Sequence, residues 1–181
     1  MKISINAGHT KTGAGYGAVY KGFKESEITR AVANELIKQL KANGHTVYNS
    51  TIDYATHQEY LKKAVQLANN SGSDLFISLH CNASYKHTGY GSECWTWKGQ
   101  KVKVANNICK ELNKLGFRNR GIKDGSHFYV IKKTKMTAII VELFFLDNET
   151  DRKLYNSIGF KKIAQAIAEA VENSWKQLKG I

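Results

Sequence analysis

Two histidines and two glutamates carry the chemistry this sequence could do: His9, Glu25, His80 and Glu142. Two imidazoles and one carboxylate are a common hydrolytic zinc set, which leaves one coordination position for water and lowers that water's pKa to roughly 7. A second carboxylate would then take the water's proton and hand one to the leaving amine. His9, Glu25 and His80 suit the ligand roles, and Glu142 suits the acid/base role. Glu142 lies within Ile139-Ile140-Val141-Glu142-Leu143-Phe144, where a buried carboxylate is costly without a positive partner such as a metal ion. The same donors also accept other divalent ions. Each residue has an ordinary reading too: His9 and His80 as loop or core histidines, Glu25 as a helix-start carboxylate favoured by the dipole, Glu142 as a residue without a chemical role. His127, just ahead of Phe128-Tyr129-Val130, could line a cleft as a substrate contact. His45 beside a glycine turn, His57 at a helix start and His87 in a polar loop read as surface residues.

The elements must bring these residues to one place. Lys2–Ala7 alternates apolar Ile3 and Ile5 with polar neighbours, a strand pattern, and runs into a loop with Gly8, Gly13, Gly15, Gly17 and Gly22. From Ser26 the positions Ile28, Ala31, Val32, Leu36 and Leu40 keep helical spacing, and Asn43-Gly44 supplies the stop. Residues 46–48 predict a short strand, and Tyr60, Leu61, Ala64, Val65 and Ala68 a second helix. Residues 74–79 form a near-continuous apolar run that ends on His80, the pattern of a strand covered on both faces. Further strands are expected at 92–97, 128–131 and 138–143, with helices over about 102–115 and through Ile163, Ile167, Val171 and Trp175. The βαβα alternation predicts a three-layer α/β fold. Ligands in open parallel sheets bind beyond the carboxyl ends of strands. His9, His80 and Glu142 all fall at or near such ends, and the glycine-rich loop can fold Glu25 back over the same rim.

With 181 residues, 42% of them hydrophobic, the chain is expected to form a single domain over 1–181. No signal peptide and no spanning segment are read in it, so a soluble protein is expected. Cys81, Cys94 and Cys109 show no CxxC spacing and read as buried small side chains in a protein made in a reducing compartment. The net charge of +12 favours polyanions: nucleic acid, anionic lipid or an anionic wall polymer. The basic residues read as scattered, and no nucleic-acid motif accompanies them, so neither nucleic acid nor membrane insertion is expected.

Four ordered segments resemble one family. They are Ile5-Asn6-Ala7-Gly8-His9, then Glu25-Ser26-Glu27-Ile28, then Ala68-Asn69-Asn70 with the run from Asp74 to His80-Cys81-Asn82-Ala83, and finally Val141-Glu142-Leu143-Phe144-Phe145-Leu146-Asp147-Asn148. Together they resemble the zinc-dependent N-acetylmuramoyl-L-alanine amidases of the amidase-3 family, found in bacterial wall hydrolases and phage endolysins. The resemblance implies a twisted, mostly parallel six-stranded sheet flanked by helices on both faces. It implies one zinc ion on His9, Glu25 and His80, with Glu142 as the catalytic carboxylate, and cleavage of the amide between muramic acid and L-Ala in peptidoglycan. Asn82, two residues past the second histidine, reads as a substrate contact or a turn residue. Ala64 stands where the family often has Arg, and Thr137 where it often has Pro, which bears on the preferred wall chemotype. The expected setting is a phage endolysin made in the host cytoplasm and acting on a Gram-positive wall after membrane breach, with a C-terminal wall-binding domain absent from these 181 residues. A zinc peptidase cutting within the stem peptide and a non-catalytic wall-binding module are the rival readings.

Overall fold

Ile3, Ile5 and Ala7 face one way and Ser4 and Asn6 the other, yet all five are buried, so the strand they form has no solvent side. This strand is β1 (Lys2–Ala7) of a computed structural model that describes residues 1–12, 15–53 and 56–179, with the backbone alone described for 57, 58 and 177–179. Gly13 and the side chain of His57 thus lie outside the described residues. A two-stranded hairpin, β2 (Val19–Tyr20) and β3 (Phe23–Lys24), leads into helix α1 (Glu25–Ala42). Then come β4 (Thr46–Asn49), α2 (His57–Asn70), β5 (Leu75–Asn82), β6 (Ser92–Thr96), α3 (Lys103–Lys114), β7 (Asn119–Asp124), α4 (Tyr129–Lys133), β8 (Thr137–Phe145) and α5 (Glu149–Lys179).

The main sheet has six strands in the order β4-β1-β5-β8-β6-β7, parallel throughout except that β6 runs antiparallel to β8. Helices α1, α3 and α5 cover one face, packing on Ile5, Ile77, Ile139 and Val141. Helices α2 and α4 cover the other, on Phe76, Ala138 and Ile140. Burying each large apolar side chain contributes about 1.5–3 kcal/mol, and β5 and β8 collect that gain on both faces. This is why they read in the sequence as continuous apolar runs rather than as alternating ones. The expected three-layer, mostly parallel six-stranded α/β architecture is what the chain forms. No helix among the described residues is long and apolar enough to cross a membrane.

Two expectations need correction. Residues 128–131 are not a strand: Tyr129–Lys133 is the short helix α4. Val130 and Ile131 are adjacent and both buried under α2 and against β8, which a half-exposed strand would not allow. The turn closes where Phe128 N donates to the Gly125 carbonyl at 2.9 Å and the Thr134 hydroxyl to the Val130 carbonyl at 2.7 Å. The sixth strand is instead β7, a polar edge strand paired only with β6 and carrying Gly121 at φ 77. His45 is not a surface residue either: it is buried, its ring held between the Met1 amine and the Glu172 carboxylate where β4 meets the end of α5. His87 is exposed as expected, and its Nδ1 donates to Asp147 Oδ2 at 2.8 Å. The three cysteines are buried and unpaired.

Candidate metal centre

The carboxyl ends of β1 and β5 lie side by side, with Ala7 opposite Leu79. His9 leaves β1 with a left-handed backbone, φ 67, a conformation that costs a non-glycine residue energy and persists only when its surroundings impose it. The surroundings are specific. Arg30 of α1 donates through Nη2 to the His9 carbonyl at 3.0 Å and to the Ile52 carbonyl at 3.1 Å, while its Nε bonds Asp53 at 2.9 Å. Gly8 must be glycine because the His80 ring lies over it: a Cβ there would sit 2.3 Å from that ring.

Glu25 opens α1, yet it does not serve as a solvated dipole partner. It is buried, and both oxygens accept backbone N–H groups, Oε2 from Ala18 at 2.8 Å and Oε1 from Cys81 at 2.9 Å. Burial alone would raise its proton affinity, but when the His80 and His9 rings are protonated toward it their hydrogen bonds and charge outweigh burial and hold the carboxyl far below the usual range. Glu25 is a carboxylate.

The tautomers of the two histidines follow from their outer partners. The Ser78 hydroxyl gives its proton to Asn6 Oδ1 at 2.8 Å, so at 3.1 Å it accepts from His80 Nε2–H. The Gly15 carbonyl can only accept, so at 3.1 Å it takes His9 Nδ1–H. In neutral rings this leaves the lone pairs of His80 Nδ1 and His9 Nε2 directed at Glu25 Oε1, each 3.2 Å away. Three acceptors then converge with no proton between them, and all three ligand atoms lie within 4.8 Å of one another. A cation would satisfy such a convergence, and outer hydrogen bonds that fix the imidazoles are usual around metal-ligating histidines. Among the described residues this is the one group of three or more His, Cys, Asp or Glu so arranged.

Glu142 on β8 is the register partner of His80 on β5 and of Glu93 on β6, so the three side chains stand in a row on the α2/α4 face. Its Oε2 is buried with no hydrogen-bond partner among the described residues. Burial first, then the Glu25 and Glu93 charges, push its carboxyl well above the ordinary value. Glu142 lines a cleft of about 400 Å³ with His9, Glu25, His80, Tyr60 and Asn82. The Tyr60 phenol is pushed up to about 12 by burial and Glu25, so it stays an O–H group.

The expected residues His9, Glu25, His80, Glu142 and Asn82 therefore meet at one cleft. His127 does not: it is exposed, its ring 4.0 Å from Phe128 and edge-on to Trp95 at 5.8 Å, and Phe128 and Tyr129 line the cleft in its place. Sequence reading missed Glu93. This buried residue bonds Arg120 Nε at 2.8 Å and Asn82 Nδ2 at 2.9 Å, and thereby fixes the Asn82 amide beside the cleft. Its partners lie 27 and 11 residues away on other strands, so no spacing announces them. The only trace is a carboxylate beside Cys94 within the apolar 92–97 run.

A family model described as N-acetylmuramoyl-L-alanine amidase matches residues 3–173. The chain belongs to that family. An uncharacterised protein of Clostridium perfringens is 33% identical over 94% of this chain and 51% of its own length. The N-acetylmuramoyl-L-alanine amidase LytC of Bacillus subtilis is 32% identical over 96% of this chain and 35% of its own length. This member of the family thus spans about half or less of the length of these curated relatives. Among solved structures, the catalytic domain of the CD27L endolysin targeting Clostridia difficile superposes with a TM-score of 0.87 at 32% identity, covering 96% of this chain and 97% of that one.

Proposed function

We propose that this chain hydrolyses the amide between N-acetylmuramic acid and L-alanine in peptidoglycan, with one zinc ion on His9, Glu25 and His80 and with Glu142 moving the proton. One observation carries this reading: three fixed acceptors converge beside a buried, unpartnered carboxyl oxygen, Glu142 Oε2. The donor set is the two-His-one-Glu set typical of hydrolytic zinc. When bound, zinc supplies Lewis-acid polarisation of the scissile carbonyl and acidifies water to a pKa near 7.

The protein's own groups do the rest. Glu142 Oε2 accepts the proton of the attacking water and passes a proton to the departing L-Ala nitrogen. Its raised proton affinity suits the second half of that task. Asn82 commits Oδ1 to the Ala83 N–H at 2.8 Å and one Nδ2 hydrogen to Glu93. The other Nδ2 hydrogen is left for a substrate carbonyl. The wall is read as that of a Gram-positive cell and residues 1–181 as a single catalytic domain. The setting is that of a phage endolysin, supported by the likeness to an endolysin catalytic domain.

The test is release of new L-Ala amino termini from purified Gram-positive peptidoglycan by wild type, Glu142→Ala and chelated protein, with zinc content read in parallel. We expect release by wild type alone, with Glu142→Ala keeping stoichiometric zinc. Glycan-bound peptides cut elsewhere in the stem, or an active Glu142→Ala variant, would overturn the assignment.

A further inference from the structure

The positive charge is not scattered after all. Residues 95–141 hold eleven Lys and Arg against two Asp and Glu, nine of the chain's twelve net charges. Neither acid forms an ion pair with Lys98, Lys101, Lys103, Lys132, Lys133 or Lys135 among the described residues. Glu111 pairs with Lys114 on α3, and Asp124 accepts from Ser126 through N–H and O–H at 2.9 and 2.6 Å. Lys98, Lys101, Lys103, Lys132, Lys133 and Lys135 are all exposed and have no ion pair among the described residues.

Lys132 lines a second cavity, of about 380 Å³, with Trp97, Gln100, Thr134, Thr137 and Ala138 among others, and the other five lysines are sequence neighbours of its lining residues. It lies on the same sheet face as the cleft, because Ala138, Ile140 and Glu142 alternate to one side of β8. Ala138 faces this cavity, whereas Ile140 and Glu142 face the cleft. Helix α4 is the wall between them: Phe128, Tyr129 and Val130 line the cleft, and Ile131 and Lys132 the second cavity. Four residues of strand separate Ala138 from Glu142, about 13 Å.

Trp97 is 39% exposed, on a turn that is itself tied down. The turn that presents it is tied by Gln100 N to the Trp97 carbonyl at 3.1 Å, by Thr96 Oγ1 to the Gln100 carbonyl at 2.8 Å and by Lys98 N to Ser126 Oγ at 2.9 Å. Lys98 adopts a left-handed φ of 53 to close it.

We propose that this cavity is a subsite for an anionic polyol-phosphate or sugar-phosphate polymer of the cell wall. The proposal rests on the wall-acting reading above. The exposed Trp97 indole offers a flat apolar face to the C–H side of a polyol or sugar. Gln100 and Thr134 offer hydrogen bonds to its hydroxyls. Lysines, as mobile point charges, suit isolated phosphodiesters. Nucleic acid fits less well, since one indole gives no series of stacking platforms for successive bases. A chain held there sits beside the catalytic cleft on one face, so the enzyme stays at high local concentration near its substrate.

The test is binding of the whole chain to purified poly(glycerol phosphate) between about 50 and 200 mM salt, the range over which phosphate contacts weaken steeply. We compare wild type with Trp97→Ala and with the combined Lys132→Gln, Lys133→Gln, Lys135→Gln variant, after checking that both melt like wild type. Losing three phosphate contacts at about 0.7 each should lower the logarithmic salt slope by about 2 and weaken binding about tenfold or more. Trp97→Ala should weaken binding several-fold with the slope unchanged. If both variants bind the polymer like wild type, or single-stranded DNA of equal phosphate content binds wild type as tightly as the polymer does, the subsite does not exist as described. Hydrolysis of a soluble, polymer-free muropeptide is followed in the same samples. Wild-type and variant rates there should match, and absence of hydrolysis in all three would count against the amidase reading while leaving the binding comparison intact.

Discussion

Glu142 is where chemistry and stability pull in opposite directions. Its Oε2 is buried without a partner, and its folded-state pKa is raised above the reference value of 4.5. A carboxyl with a raised folded pKa holds its proton more tightly when folded. Its favourable contribution is therefore complete below the unfolded pKa and is lost as pH rises through the folded one. In chelated protein, Glu142→Gln removes the titrating charge and with it that loss, so the variant should gain on the wild type as pH rises to neutral and above. Melting curves at about pH 5 and pH 8 should show the wild type falling behind the variant only at the higher pH, and parallel curves would contradict this account. Gly8 gives a second prediction at this scale. A Cβ 2.3 Å from the His80 ring would displace the ring, so Gly8→Ala should weaken zinc binding by roughly 10–100-fold, as loss of ligand positioning does elsewhere. Competition with a zinc indicator reads this directly, and wild-type affinity would show that the ring has room to move.

At the scale of elements, the cleft is a seam between strands whose side chains are set across the sheet. Glu93 on β6 reaches Asn82 on β5 and Arg120 on β7, and stands in register with Glu142 on β8. Glu93→Gln keeps the shape but weakens both charge-assisted bonds, at about 2 kcal/mol of stability. It should also slow amide hydrolysis about tenfold while leaving zinc stoichiometric. An unchanged rate with the same fall in melting temperature would make Glu93 purely structural. His9, His80 and Glu142 were legible because each follows or lies near the end of a strongly patterned strand, and Glu25 because it stands at the start of a helix with clear apolar spacing, so type and position could be read together. Glu93, Arg30 and Asn6 act through partners on other elements, and no local pattern encodes a cross-strand bond. The strand-like run at 128–131 misled for the complementary reason. Its β-branched residues are buried on adjacent positions by α2 and β8, and tertiary packing overrode propensity. The polar β7 escaped notice because an edge strand paired on one side needs no apolar alternation.

For the molecule as a whole, the three proposed ligands come from separate parts of the chain: the loop after β1, the start of α1 and the end of β5. An ion there would act as a cross-link between the glycine-rich loop, the first helix and the central strand. Because the site forms only in the folded state, binding adds to stability by mass action, about 2.7 kcal/mol when free ion is at 100 times its dissociation constant. For a chain of this size that corresponds to a rise in melting temperature of roughly 5–10 °C. Glu142→Gln should keep the whole of that rise, since Glu142 stands outside the ligand set, and His80→Ala should lose most of it. Titrating zinc into chelated protein while following the melt separates the two roles without reference to turnover. If zinc raised the melting temperature of His80→Ala as much as that of wild type, the ion would bind elsewhere, and the converging acceptors of His9, Glu25 and His80 would need another explanation.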